Sequence, residues 1–286
     1  MPMVAKQAPY TLFIVEDNDA RSPREDRDNF GTMVAFHKRY NLGDERKYSE
    51  PEAFLRDLCY DTVPSSEIVA LVAENKLDYL RFEPDEEDKE IYHLKSYDDF
   101  FKKWYREDSF DFPPTAIEIE DEVANSILEW TRIPDLVELA GKHNVILPVY
   151  LYDHSGLTIN TTGFSCPWDS GQLGWIYATH RDVKEEYGEV TPETLAKAEN
   201  LLQSEIEEYD LYLTGQCYGF KLYEGHNEID SCWGFLSAFS DIGKQIREHL
   251  PDNCRDIVDL LEYQPDRIDE DEYLENELED EDECEL

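Results

Sequence analysis

Val145-Ile146-Leu147-Pro148-Val149-Tyr150-Leu151-Tyr152 is the stretch on which the fold turns. Eight apolar, largely β-branched and aromatic residues are too few for a long helix, and they read as a strand. Pro148 has no N–H to give to a ladder, so the strand is predicted at a sheet edge or with the proline near its start. Asp153-His154-Ser155-Gly156 follows as a turn, Leu157 to Thr162 as a polar-apolar alternation, and Leu173-Gly174-Trp175-Ile176-Tyr177-Ala178 as another strand. Together they predict an antiparallel meander.

Working outward, Tyr10-Thr11-Leu12-Phe13-Ile14-Val15 reads as a buried strand, and Gly31 to Tyr40 is a dense apolar block closed by the turn Asn41-Leu42-Gly43-Asp44. Thr191-Pro192-Glu193 is a helix start, with threonine at the cap and proline at the first helical position. Leu195, Ala198, Leu201, Leu202, Ile206 and Tyr209 keep the helical period after it. Tyr218 to Tyr223 reads as a strand, and Trp233 to Leu250 as a last helix packed through Phe235, Leu236, Phe239, Ile242 and Ile246. Trp168 and Trp175 are expected to be packed. The fold class is therefore α+β, an antiparallel sheet with packed helices.

Residues 45–141 change character. Pro51 to Tyr60 is a short helix by its apolar spacing, Phe100, Phe101, Trp104 and Tyr105 also stand at helical spacing, and Ala124 to Leu139 offers one or two helices broken at Pro134. The expected organisation is a core of 1–44 and 142–264, an inserted helical subdomain at 45–141, and an acidic tail at 265–286.

The chain of 286 residues has 67 acidic against 26 basic side chains, a formal charge of −41. The tail holds 13 acids against Arg267 alone, so −12 of that charge lies there and −29 in residues 1–264. Its few apolar residues, Ile268, Leu274 and Leu278, are too sparse to order so many repelling charges, and the tail is expected to be disordered or a frayed helix. The body, with 18 Tyr and 13 Phe in the whole chain, is too aromatic for that. Three readings of the charge compete. A salt-adapted proteome avoids lysine, whereas Lys76, Lys89, Lys95, Lys102 and Lys103 are kept. Solubility asks for a charge of only about 2–8 in a small domain. The third is a target with a basic protein surface, or with a site that normally holds nucleic acid. A broad grip on phosphates by the chain itself is excluded by the same charge, so no direct nucleic-acid binding is expected.

No run approaches the roughly 18–20 apolar residues of a membrane span, and Met1 to Tyr10 lacks the apolar core of a signal peptide, so a cytoplasmic protein without a membrane partner is expected. Cys59, Cys166, Cys217, Cys232, Cys254 and Cys284 include no C-x-x-C pair and read as reduced thiols. The histidines form no H-x-x-x-H or H-E-x-x-H group, so neither metal nor cofactor is expected, although His37, His154 and Asp153 are residue types that suit a transition metal. P-loop, G-x-G-x-x-G and G-x-S-x-G patterns are missing, which removes the usual signs of nucleotide hydrolysis, dinucleotide chemistry and serine hydrolysis. The basic pieces Arg21 to Arg27 and His37-Lys38-Arg39 are interrupted by acids and read as solvated or salt-bridged.

His154, Cys166 and Asp153 or Asp169 supply the residue types of a thiol nucleophile, its base and an orienting carboxylate. Against this, Cys166 precedes a proline and lacks the helix N-terminus that activates a thiol. Gly156, Gly163, Gly171 and Gly174 suit tight turns, the structural reading of the same stretch.

Two stretches are dense in special residues: Asp28 to Asp44, which contains Gly31-Thr32-Met33-Val34, His37 and Arg39-Tyr40-Asn41-Leu42-Gly43-Asp44, and Tyr152 to Tyr177, which contains Phe164-Ser165-Cys166-Pro167-Trp168-Asp169-Ser170-Gly171-Gln172. Here the chain resembles a family of uncharacterised proteins carried by phages and mobile elements, with the strings DNxGTMVxxHxRYNLGD, YDHSGxTxxTxxFSCxWDSGQxGWIY and ExYDxYLxGxxYGF, the third lying on Glu207 to Phe220. The resemblance covers roughly residues 10–44 and 145–235; the insertion is longer than in the relatives and the tail is outside the pattern.

The reading that follows is a non-enzymatic inhibitor encoded by such an element, of anti-restriction or anti-CRISPR type, directed at a host nucleic-acid-handling or defence protein. Duplex DNA carries one charge per roughly 1.7 Å of axis, a field that arrayed carboxylates approximate. Expected carriers are Asp85, Glu86, Glu87, Asp88 and Glu90; Glu118, Glu120, Asp121 and Glu122; and the helical face Glu205, Glu207, Glu208 and Asp210. The alternatives are an inhibitor that blocks a defence complex by shape, and a small enzyme using His154 and Cys166 with Asp169.

Overall fold

The structure, a computed structural model, describes residues 3–44, 47–111, 113–264 and 273–274. Strands β1 (Met3–Gln7) and β2 (Tyr10–Glu16) open the chain, followed by helix α1 (Pro23–Asp26) and strand β3 (Thr32–Ala35). Helices α2 (Pro51–Thr62) and α3 (Ser65–Ala73) lead to strands β4 (Leu80–Pro84), β5 (Tyr92–Asp98) and β6 (Lys103–Phe110). Helices α4 (Glu120–Trp130) and α5 (Ile133–Ala140) come next, then β7 (Asn144–Asp153), β8 (Leu157–Asn160) and β9 (Ser170–Thr179). Helices α6 (His180–Tyr187) and α7 (Pro192–Leu213) precede the hairpin of β10 (Cys217–Glu224) and β11 (Asn227–Leu236). Helix α8 (Ile242–Arg247), a 3-10 helix at Arg255–Leu260 and strand β12 (Glu262–Tyr263) follow. The sheets are antiparallel and the class is α+β, as predicted. Among the described residues no helix is long and apolar enough to cross a membrane.

The chain divides into two compact units, one of Met1–Asn29, Val149–Gln172 and Gln203–Leu286, the other of Phe30–Pro148 and Leu173–Leu202. These boundaries differ from the expected ones, since residues 45–141 share their unit with β3 and most of β9.

The first unit is built on a five-stranded sheet in the order β11-β10-β2-β1-β12. Successive side chains of a strand face opposite ways, so β2 feeds two cores. Leu12 and Ile14 pack with Phe220 and Leu222 beneath Ile242, Ile246 and Ile257. Phe13 faces the other way and packs with Val4, Tyr223 and Leu274. The tail was expected to be disordered or a frayed helix; most of it lies outside the described residues, but Leu274 is buried and the Tyr273 ring meets Phe13 edge-on at 5.5 Å. At those two positions the chain is helical and packs on β2. In this unit β7 pairs with β8, Tyr150 opposite Asn160 and Asp153 opposite Leu157, and the Asp153 N–H donates to the Asp169 carbonyl at 2.8 Å. The returning segment therefore lies beside β7, not beside β8, so the simple meander is corrected; so is the edge or strand-start position predicted from Pro148, which is the fifth residue of an interior strand and precedes the β8 ladder that begins at Tyr150.

The second unit packs α2, α3, α4 and α5 around Phe54, Leu55, Leu58, Ile68, Ile127 and Leu136, with Leu80 and Leu94 supplied by the sheet β4-β5-β6. The insertion is thus mixed, not wholly helical. Asp98 to Tyr105, read as helical, is a hairpin tip: the Asp98 carboxylate accepts the N–H groups of Phe100 and Phe101, each at 2.8 Å, and Trp104 pairs across from Tyr97. Trp233 to Leu250 is likewise corrected. Gly225 turns the chain back into β11, where Gly234 at φ +83° accommodates a bulge, and only Ile242 to Arg247 is α-helical.

In β9, Gly174 lies against β3 so closely that a Cβ would sit 1.9 Å from the Val34 carbonyl oxygen, which explains the residue type in this motif. Beside it Trp175 is 6% exposed, its ring 5.9 Å from Phe54 and 6.2 Å from Phe36. Trp168, expected to be packed, is 91% exposed. Trp175→Ala should therefore cost about 3–5 kcal/mol in urea denaturation and Trp168→Ala less than about 0.5 kcal/mol. Leu274→Ala, or truncation after Gln264, should lower stability by about 2 kcal/mol in the same assay, from the loss of a buried leucine.

Candidate functional site

The loop that links β8 to β9 brings the expected thiol-site residues together in the first unit. His154 Nδ1 lies 3.4 Å from Asp169 Oδ2, and the Cys166 Sγ lies 3.6 Å from the same oxygen. The turn that carries His154 is fixed by its own backbone, with Ser155 at φ +61° and the His154 N–H donating to the Gly156 carbonyl at 3.2 Å. Tyr152 stands beside both His154 and Phe164, at ring distances of 6.0 and 5.6 Å. The carboxylate, not the imidazole, touches the sulfur. A carboxylate is a far weaker base than an imidazole toward a thiol, so the order of groups does not match that of a thiol nucleophile activated by histidine. Other thiols are further from chemistry: burial pushes Cys59 up to about 12 and Cys217 up to about 11. Among the described residues no group of three His, Cys, Asp or Glu side chains is placed to hold a metal. His37 is committed locally, its Nδ1 accepting the N–H groups of Arg39 and Tyr40 at 3.2 and 3.1 Å.

The acidic candidates separate by what they touch. Glu205 of α7 pairs with Arg24 at 2.8 Å, with side chains only 10% and 1% exposed. Glu208 pairs with Arg27, which places the basic piece Arg21 to Arg27 in salt bridges, as read from the sequence. Asp210 Oδ1 accepts the Thr158 hydroxyl at 2.6 Å and the Ile159 N–H at 2.7 Å. Glu205 and Asp210 therefore hold the first unit together, Glu208 makes a surface ion pair, and Glu207 alone of the four is fully exposed.

In the second unit Glu118, Asp121 and Glu122 are exposed and Glu120 is half-buried. Glu120, Asp121 and Glu122 occupy the first turn of α4, where carboxylates complement the helix dipole. Asp85 to Glu90 lie not on a helix but on the loop between β4 and β5. Asp85 shapes that loop. Its carboxylate accepts the N–H groups of Glu87 and Asp88 at 2.8 and 3.0 Å and faces His93 Nε2 at 2.9 Å, contacts that hold it well below the usual carboxylate range, the Asp88 bond foremost. Asp88 helps, its carboxylate accepting the Glu90 N–H at 3.0 Å, while Glu86, Glu87 and Glu90 are exposed with no ion pair among the described residues.

One cavity escaped the sequence reading. It lies in the second unit, has a volume of about 550 Å³, and is lined in part by Tyr48, Phe54, His143, Tyr177, His180 and Arg181. Those residues are separated by up to 133 positions in the chain, with no motif to link them.

No family model, curated protein or solved structure matches the chain.

Removing one partner of a buried ion pair leaves the other charge stranded, so Glu205→Ala should destabilise the protein by about 3–5 kcal/mol in urea titration. Glu207→Ala, two residues away on the same helix, should stay within about 0.5 kcal/mol.

Proposed function

We propose that the chain is a protein-binding inhibitor carried by a phage or mobile element, which presents an acidic surface to a host protein whose basic surface normally handles nucleic acid. The observation that supports this reading is the division among the acids. Glu205 and Asp210 are engaged inside the first unit and Glu208 in a surface ion pair, whereas Glu86, Glu87 and Glu90 project from a loop whose shape Asp85 and Asp88 fix. A held loop presents those carboxylates without ordering them at the moment of binding, which favours both affinity and steering toward a positive partner. The net charge of −41 far exceeds the magnitude of about 2–8 that solubility asks of a small domain.

A second reading, binding by shape, has its own support. Phe100 and Phe101 are 85% and 61% exposed at the tip of the β5–β6 hairpin, a position suited to filling an apolar pocket.

The test is capture from bacterial lysate at low and high salt, identification of the retained protein, and titration with purified components. Simultaneous Glu86→Lys, Glu87→Lys and Glu90→Lys, with Asp85 and Asp88 kept for the loop, should weaken binding by about tenfold or more, and wild-type affinity should fall as salt rises. Phe100→Ser with Phe101→Ser should change affinity by less than about threefold. The opposite pattern would transfer the function to shape, and loss of activity on Cys166→Ala alone would transfer it to thiol chemistry.

A further inference from the structure

The cavity of the second unit has a lining that runs against the composition of the chain. The protein carries 67 acids to 26 basic side chains, yet the cavity walls contribute Lys47 and Arg181 with two imidazoles, His143 and His180, against the single carboxylate of Asp61. Its volume of about 550 Å³ lies inside the range of roughly 300–1,000 Å³ in which proteins hold small molecules. One wall is aromatic. Phe54 is buried and meets Tyr48 at 5.6 Å and Tyr177 at 5.4 Å between ring centroids, so flat aromatic surfaces contribute to the lining.

The polar side is held in place by neighbours. His143 Nε2 lies 2.8 Å from Glu67, and the His143 carbonyl accepts the His180 N–H at 3.2 Å, which ties the two histidine-bearing segments together. The ring nitrogens of His180 have no hydrogen-bond partner among the described residues. Burial, and then the neighbouring His143, push that imidazole below its ordinary value. A group in this condition gains from an anion, which stabilises its charged form. The start of α6 is not itself the anion site, because Asp182 takes the N–H and hydroxyl of its cap, Thr179. The side chains of Lys47, His180 and Arg181 are what remain to meet a ligand.

We propose that this cavity binds a small ligand that joins an oxyanion to a planar ring, the chemistry of a nucleoside monophosphate, with Lys47, His180 and Arg181 on the oxyanion and Tyr48 and Tyr177 against the ring. The site is separate from the acidic loop and does not rest on the inhibitor reading. Arg181 is exposed and reaches Glu185 only at 4.0 Å, a contact that a phosphate would replace with a closer and bidentate one. Lys47 gives a point charge beside the Tyr48 ring, 4.9 Å from its centroid.

Isothermal titration of the full chain with adenosine and guanosine monophosphates, inorganic phosphate, and uncharged adenosine and guanosine tests the proposal. The expected result is binding of at least one nucleotide at least about tenfold tighter than either phosphate or the corresponding nucleoside, a gap of about 1.4 kcal/mol. Lys47→Ala with Arg181→Ala, both at the surface, should weaken that nucleotide by about tenfold or more while the far-ultraviolet spectrum and melting temperature stay unchanged. Tyr177→Leu should weaken the nucleotide and leave phosphate binding in place. No heat from any nucleotide at millimolar concentration, equal binding of nucleotide and nucleoside, or an unaltered affinity in the doubly substituted chain would each overturn the assignment. Phosphate alone binding as well as the nucleotide would overturn the ring half of it.

Discussion

A carboxylate withdrawn from water without a donor costs several kcal/mol, and this condition governs how a chain of 67 acids folds. Among the described residues, several acids drawn inward are met by a donor. Glu205 has Arg24, Asp210 has the Thr158 hydroxyl and the Ile159 N–H, Asp44 accepts the Met33 N–H at 2.7 Å, and Asp135 accepts the Tyr79 hydroxyl at 2.5 Å. Burial raises the Tyr79 hydroxyl well above its ordinary value, and the bond to Asp135 adds to the rise. These bonds do structural work that the hydrophobic cores alone would not specify: they fix loops and helix faces at the points where a charge would otherwise pull the chain outward.

The same condition assigns the motif residues. Asp44 belongs to the stretch ending Asn41-Leu42-Gly43-Asp44, and it closes that loop back onto β3, its own N–H donating to the Met33 carbonyl at 3.1 Å. Asp210, within the third motif string, fastens the β7–β8 hairpin of the first unit through Thr158 and Ile159. Gly174 permits a backbone contact that no side chain would allow. Residues that look chemical in the sequence are here largely devices for holding irregular backbone.

Legibility in the sequence followed the length of the periodic signal. The strand at Val145 to Tyr152, though not its edge position, and the helix starting at Thr191-Pro192 are read correctly, because many residues repeat one period or a proline enforces a start; the helical break falls at Thr131-Arg132, with Pro134 in the first turn of α5. Phe100, Phe101, Trp104 and Tyr105 mislead because a tight turn separates two pairs by the same spacing a helix would. In the turn, Asp98 bonds the backbone and Lys102 takes φ +54°. Trp233 to Leu250 misleads for a related reason: Phe235, Leu236 and Phe239 keep a helical spacing while belonging to a strand end and a connection. Of the candidate site, the approach of His154, Cys166 and Asp169 was legible from their nearness in sequence. The roles of Glu205 and Asp210 were not, since an acid facing a long-range donor is indistinguishable in sequence from one facing water.

Charge on this protein therefore acts at two ranges. Exposed carboxylates such as Glu86 and Glu87 add to a field that reaches about 8 Å at physiological ionic strength and further at low salt. That field repels every anion and attracts every basic surface. The Lys47, His180 and Arg181 side chains would act on the proposed anion only over a few ångströms. Adding salt shortens the long-range field more than it weakens a contact made at hydrogen-bond distance. A basic protein partner should accordingly be lost as salt rises, whereas a small anion entering the cavity should be tolerated better at moderate salt than in very dilute buffer, where the whole molecule opposes its approach. Opposite dependence on the same variable separates the surface from the cavity without any substitution.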